Sequence, residues 1–276
     1  MKGLKTQNLN KMKKQFGQCF DVSEKNTQYL KTSIKRSKGK LPEMEVAKAH
    51  MKILKKYVKD RSKILDAGCL TGHFYKSFSK HFKTKKIEYY GIDPWDLHIE
   101  TAKKIWKENS NVYFKKGWIQ RIPYKNNCFD VTICCNVLTH VPSIEAPIKE
   151  LLRVTKKTLL IRTPIHKISY KIQMVLNSDW FKFTKVKPQN EFDSKGNPKA
   201  FEYFNVHSKK YFESVIRKNA KNCKINFIED TFYNKSKINF KKESSKKIQA
   251  TRVNKEGQQV TDLLIIPNCF VLINKK

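Results

Sequence analysis

From Lys63 to Arg162 short apolar runs alternate with stretches in which apolar residues recur every three or four positions. Such alternation is the pattern of a parallel sheet whose crossovers are helices. Residues 63–67, 87–92, 111–115, 129–135 and 158–162 read as five strands, with helices expected over 73–82, 97–108 and 144–154. The fourth strand contains VTICC, which has little polar alternation and is expected to be buried on both faces.

The flanks are patterned differently. The first 41 residues are rich in Lys, Ser, Thr and Asn without sustained period, and read as a mobile basic arm with at most one short helix. Over residues 42–58, Met44, Ala47, Met51, Leu54 and Val58 fall three or four apart, predicting an amphipathic helix opened by Pro42 near its first position. Residues 164–206 lack a clear period but carry Tyr170, Trp180, Phe181, Phe183, Phe192, Phe201, Tyr203 and Phe204, so they are expected to form an aromatic-lined lid. A helix over 208–219 with Ser208 as N-cap, a strand over 223–229 and a closing strand over 269–274 follow, interrupted by a lysine-rich insert at 233–260. The expected organisation is an arm (1–41) and one domain (42–276), the domain comprising a core (62–163), a lid (164–206) and a C-terminal part (207–276).

The 58 Lys and Arg against 24 Asp and Glu give a formal charge of +34. The core is less lopsided than its flanks, with 17 basic against 9 acidic residues over 64–163. Arginine, the side chain suited to bidentate readout of bases and phosphates, supplies only seven of the basic residues. Abundant Lys, Asn and Ile match the codon bias of an AT-rich genome, and a polyanion partner stands as the alternative reading of the charge.

The N-terminus lacks the apolar run of a signal peptide, and no segment approaches the ~20 apolar residues needed to span a bilayer, so a soluble, cytoplasmic protein is expected. Seven cysteines show no Cys-x-x-Cys spacing, and the histidines no ligand spacing, so no metal site is expected.

In KILDAGCLTGHF a strand ends at Asp66, turns through Gly68 and Gly72 and starts a helix. Glycines there let backbone approach a ligand, and the free N–H groups of the helix start suit a nucleotide-like group. The second strand ends in Asp93, where a carboxylate can accept both hydroxyl protons of a ribose. A dinucleotide fingerprint would need glycine at positions held by Leu70 and Tyr75, which disfavours NAD and FAD.

These segments resemble the class I S-adenosylmethionine-dependent methyltransferase superfamily, in its ubiquinone-biosynthesis-like branch. The first motif of that family is matched by Leu65, Asp66, Gly68, Cys69, Thr71 and Gly72, and its ribose-binding acid by Asp93. Its third-strand loop corresponds to Gly117-Trp118-Ile119 and Ile122-Pro123-Tyr124, its fourth-strand motif to Phe129-Asp130 and Val137–Val141, and its Glu-x-x-Arg-Val to Glu150–Val154. Leu70 replaces the middle glycine, and Trp118 replaces the acid that often takes the adenine amino group.

The resemblance implies a Rossmann-like, doubly wound, mostly parallel seven-stranded sheet with an antiparallel last strand. It also implies S-adenosyl-L-methionine as cofactor, with Asp66, Gly68, Cys69, Leu70, Gly72, Asp93, Pro94, Trp118, Ile119, Cys135 and Asn136 as its binding residues. His140, just beyond the fourth strand, is the best-placed base for methyl transfer to oxygen, and orienting the following helix is its other reading. The expected acceptor is an O or N atom of a small molecule or glycan. Two alternatives remain: a nucleic-acid methyltransferase, motivated by charge, and a non-catalytic binding module, motivated by Leu70.

Overall fold

The computed structural model describes residues 27–179, 184–231, 252–253, 259–260 and 268–275. Two helices come first, α1 (Thr27–Ser37) and α2 (Glu45–Leu54). The alternating region then forms β1 (Lys63–Ala67), α3 (His73–His81), β2 (Glu88–Asp93), α4 (Asp96–Ile105), β3 (Val112–Lys116) and β4 (Phe129–Cys135). After a 3-10 turn at Leu138–His140 come α5 (Glu145–Val154) and β5 (Thr155–His166). The remaining elements are β6 (Gln173–Val175), β7 (Phe201–Tyr203), β8 (His207–Ser208), α6 (Lys209–Asn219), β9 (Cys223–Glu229), the short ladder of β10 (Arg252–Val253) with β11 (Gln259–Val260), and β12 (Asn268–Lys275).

The main sheet runs β3-β2-β1-β4-β5-β12-β9, with β8 added beside the end of β5. Its first five strands pair in parallel, and β12 lies antiparallel to both β5 and β9. This is the doubly wound arrangement with one antiparallel strand, the last of the chain. Strand order reverses at β1, which has β2 on one side and β4 on the other, so a crevice opens beyond the carboxyl ends of β1 and β4.

Alternation along the strands divides the core in two. Leu65, Ile161, Val271 and Ile273 face α5 and α6 through Ile148, Leu151, Phe212 and Ile216, whereas Ile64, Ile133, Leu160 and Phe270 face α2 and α3 through Met51, Leu54, Phe74 and Phe78. Burying each of these side chains contributes about 1.5–3 kcal/mol, which makes the packed faces the main source of stability. His50 of α2 is also fully buried, its ring edge-on to Phe74 and Phe270 at 5.0 Å, with Nδ1–H donating to the Val46 carbonyl at 2.7 Å.

Several boundaries differ from the sequence reading. The second helix starts at Glu45, so Pro42 lies ahead of it and Met44 holds the N-cap position, while residues after Lys55 leave the helix. β5 begins at Thr155, directly after α5, because Thr155 Oγ1 donates to the Leu151 carbonyl at 2.6 Å and lies 2.8 Å from Thr132 Oγ1, whose hydroxyl can donate to it, tying helix end to strand start. Ser208 is the N-cap of α6, its hydroxyl accepting from the Tyr211 N–H.

The larger difference is in the expected arm. From Thr27 onward it is helical and docked: Ser33 and Ser37, one turn apart, are 3% and 2% exposed and meet Thr71, which is fully buried. Ser33 Oγ lies 2.6 Å from Thr71 Oγ1, and Ser37 Oγ lies 2.8 Å from the same atom and donates to the Thr71 carbonyl at 3.0 Å. Residues 1–26, the aromatics Trp180, Phe181 and Phe183, and most of the insert at 233–260 lie outside the described residues. No helix among the described residues is long and apolar enough to cross a membrane.

Candidate active site

The turn after β1 is held in a shape most sequences avoid. Gly68, Leu70 and Gly72 all have left-handed backbone, at φ of 89°, 51° and 76°. At Gly68 a side chain is excluded, since a Cβ there would come within 2.3 Å of Val137 Cγ2; at Gly72 it would meet the Phe114 ring at 2.5 Å. The turn is stitched to the end of β2: Gly68 N–H and Cys69 N–H both donate to the Ile92 carbonyl, at 2.9 and 3.0 Å, and Leu70 N–H donates to Asp93 Oδ2 at 3.0 Å. Leucine in the left-handed region costs roughly 1–2 kcal/mol, and the bond to a buried carboxylate is what offsets it.

This turn, the ends of β2 and β4 and the loop after β3 enclose a cavity of about 500 Å³. Its size lies within the range of small-molecule sites. Of the twelve residues singled out in the sequence, ten line it: Asp66, Gly68, Leu70, Asp93, Pro94 and Trp118, together with Ile119, Cys135, Asn136 and His140. Cys69 and Gly72 do not. Cys69 is fully buried with Sγ turned toward Gly91, and burial, followed by the Asp93 and Asp66 charges, pushes its thiol well above the usual range. Gly72 faces Phe114 and Trp106, away from the cavity, and serves as the left-handed entry to α3.

The two carboxylates differ. Asp66 is 2% exposed and accepts a hydrogen bond from the Tyr89 hydroxyl; burial, against that bond and aided by the Asp93 charge, raises its pKa to about 7. Asp93, at 3% exposure, is nearly saturated: Oδ1 accepts from Trp95 N–H at 3.2 Å and lies 3.0 Å from His98 Nδ1, while Oδ2 accepts from Leu70. With two acceptor directions per oxygen, one remains, on Oδ2. The expectation that this carboxylate takes two ribose protons is thereby reduced to one in this arrangement.

The loop after β3 gives the cavity an apolar wall of Trp118 and Ile119, 9% and 8% exposed, with Trp95 meeting Trp118 edge-on at 6.3 Å between ring centres. Glu150 and Arg153 anchor this loop from α5: Glu150 Oε2 accepts from Ile122 N–H at 2.8 Å, and Arg153 donates to the carbonyls of Ile122 and Tyr124. Gln120, which the sequence reading passed over, also lines the cavity and has its Oε1 buried without a hydrogen bond. Cys135 faces the cavity from β4, its thiol pushed up to about 12 by burial despite the nearby Arg162.

These features fit S-adenosylmethionine. Aromatic faces suit a purine, Gln120 Oε1 is an orphaned acceptor suited to an exocyclic amino group, Asp93 keeps one acceptor for a ribose hydroxyl, and Asp66 is an acid suited to a cationic amino acid tail.

Three residues from the N-terminal helices also line this space: Arg36, Met44 and Val46. Among the described residues Arg36 makes no ion pair. His73, at the start of α3, shares that wall and has a pKa lowered to about 4 by burial and by the Arg36 charge.

His140 sits in the 3-10 turn beyond β4, its Nδ1 3.0 Å from the Tyr203 carbonyl and 2.9 Å from Glu202 Oε1. The turn is bolted to the segment just after β7: Thr139 Oγ1 donates to the Asn205 carbonyl at 3.0 Å, Asn205 N–H donates to the Thr139 carbonyl at 2.8 Å, and Asn205 Nδ2 donates to the Val141 carbonyl at 2.8 Å. Of the expected aromatic lid, Trp180, Phe181 and Phe183 lie outside the described residues. Among its described residues only Glu202 lines the cavity, while Phe192 and Phe204 are 50% and 41% exposed and Tyr203 is packed at 6%. No group of His, Cys, Asp and Glu among the described residues could hold a metal ion.

Residues 65–160 match a family described as a methyltransferase domain. An uncharacterized methyltransferase of Schizosaccharomyces pombe is 31% identical over 109 residues, 37% of this chain and 38% of that protein. Demethylmenaquinone methyltransferase of Staphylococcus saprophyticus is 32% identical over 123 residues, 42% of this chain and 52% of that one. The chain thus spans about half the length, or less, of these curated relatives. The crystal structure of YcgJ from Bacillus subtilis aligns over 83% of this chain and 99% of its own, at 15% identity and a TM-score of 0.49. Residues 65–160 thus match a methyltransferase domain, and the sheet order and the glycine turn are those that the resemblance to class I S-adenosylmethionine-dependent methyltransferases implies.

Proposed function

We propose that this protein transfers a methyl group from S-adenosylmethionine to a small-molecule acceptor held between His140 and the end of β4. The observation that carries the reading is the cavity itself. A single enclosure combines the glycine turn, a buried ribose-directed acid in Asp93 and a histidine on the far wall. Methyl transfer from a sulfonium is an in-line displacement, so positioning and exclusion of water supply most of the acceleration. Asp93 and Trp118 hold the donor, and His140 lies where an acceptor would meet it.

A concave site of this volume favours a small acceptor over a duplex or an extended strand. Calorimetric titration with S-adenosylhomocysteine tests the donor side. Micromolar binding that Asp93→Ala weakens at least tenfold is expected, and no binding by the intact protein would remove the proposal.

A further inference from the structure

Glu202 lies outside every segment that carries a family motif, yet it reaches the cavity and its Oε1 is 2.9 Å from His140 Nδ1. The Tyr203 carbonyl, 3.0 Å from the same nitrogen, can only accept, so Nδ1 carries a hydrogen and the neutral ring has its lone pair on Nε2. No described group of the protein bonds Nε2, and His140 lines the cavity. An imidazole whose neutral form is fixed in one tautomer, and whose protonated form a carboxylate would stabilise, is the arrangement of a general base.

From this geometry, and resting on the methyltransferase reading above, we infer that the acceptor atom is a hydroxyl oxygen, that His140 is the catalytic base and that Glu202 is its positioning residue. A neutral amine attacks the methyl group with its own lone pair and needs no base in the transition state. A hydroxyl is a poor nucleophile until its proton leaves. In the reaction the acceptor O–H gives its proton to Nε2 as the oxygen forms a bond to the methyl carbon. The carbon–sulfur bond breaks, its electron pair stays on sulfur, and the sulfonium becomes a neutral thioether. Imidazolium forms beside Glu202, whose charge it meets at Nδ1.

Two measurements on the full chain test this. Nitrogen-15 spectra of the histidine rings in the S-adenosylhomocysteine-bound protein should show His140 as the Nδ1–H tautomer; the Nε2–H tautomer would overturn the inference. Methyl transfer from isotope-labelled S-adenosylmethionine is then followed with matched pairs of simple phenols and alcohols against the corresponding amines. O-methyl products are expected, with kcat falling at least about 100-fold in His140→Ala and about tenfold in Glu202→Gln, while cofactor KM stays within about twofold and Glu202→Asp recovers part of the loss. N-methylation at a rate untouched by His140→Ala, or a hydroxyl series left unmethylated by protein that binds the cofactor, overturns the inference. Failure to bind S-adenosylhomocysteine instead overturns the reading on which it rests.

Discussion

The backbone N–H of Leu70 donates to the carboxylate of Asp93 at 3.0 Å, which makes the residue that departs from the glycine motif a direct partner of the acid expected to hold the ribose. Both hydroxyls of a ribose cannot be accepted by Asp93 unless one of its protein bonds yields. The 2′-deoxy and 3′-deoxy forms of S-adenosylhomocysteine should therefore bind unequally. One should match the parent within about threefold, and the other should lose roughly tenfold or more, the worth of one hydrogen bond to a charged group. Equal losses in a calorimetric comparison would mean that the carboxylate reorganises around both hydroxyls.

Leu70→Gly removes a left-handed leucine and restores space beside the turn. The relief of about 1–2 kcal/mol is partly cancelled by the ~0.5–1 kcal/mol that glycine's freedom costs in the unfolded chain. A net gain of up to about 1 kcal/mol in denaturant unfolding is expected, with tighter S-adenosylhomocysteine binding.

Asn205→Ala should cost about 2–4 kcal/mol, because it leaves the Val141 carbonyl and the Ile172 N–H without the amide that now pairs with them in a buried place. If Asn205 fixes the 138–141 turn, kcat should fall further than the lost stability explains when both are measured below the unfolding transition.

Stability should fall as pH drops. His50, His73 and His207 are each lowered to about 4 by burial, so between about pH 4 and 6.5 the unfolded chain binds more protons than the folded one. Asp66, raised to about 7, acts in the opposite sense: its folded form holds a proton that the unfolded chain has lost, so its own contribution weakens stability as pH rises. Three groups outweigh one, and the melting temperature should be several degrees lower at about pH 4.5 than at 6.5. A His50→Leu variant should show a shallower slope.

Asp66 also predicts a proton released on cofactor binding near pH 7. A cation beside it favours the carboxylate, so affinity for S-adenosylmethionine should rise between about pH 6 and 8. Titrations in buffers of different ionisation enthalpy would reveal the released proton, and Asp66→Asn should abolish it.

The strands and the cavity-facing turn were legible because their signal is local: β1, β4 and β9 have the limits that apolar runs mark in the sequence. Asp93 and His140 could be located because each ends a strand or follows one closely. Glu202 was not legible, since it reaches His140 by a hairpin 62 residues away in a segment without period. Gln120 was hidden for a different reason, being a polar side chain whose burial depends on how the loop folds around it. The docking of α1 was missed because hydrophobic period is the usual signal of a buried helix face, and here the buried face carries serines.

That serine face sets where the working unit begins. Thr71 sits inside the turn, and the helix that satisfies its hydroxyl also carries Arg36 to the rim of the cavity. A fragment trimmed to the span that matches the family would keep every motif yet lose Arg36, Met44, Val46 and Glu202 from the walls of the enclosure, leaving Thr71 without its serine partners. Such a fragment could carry the family signature in full and still bind its cofactor poorly.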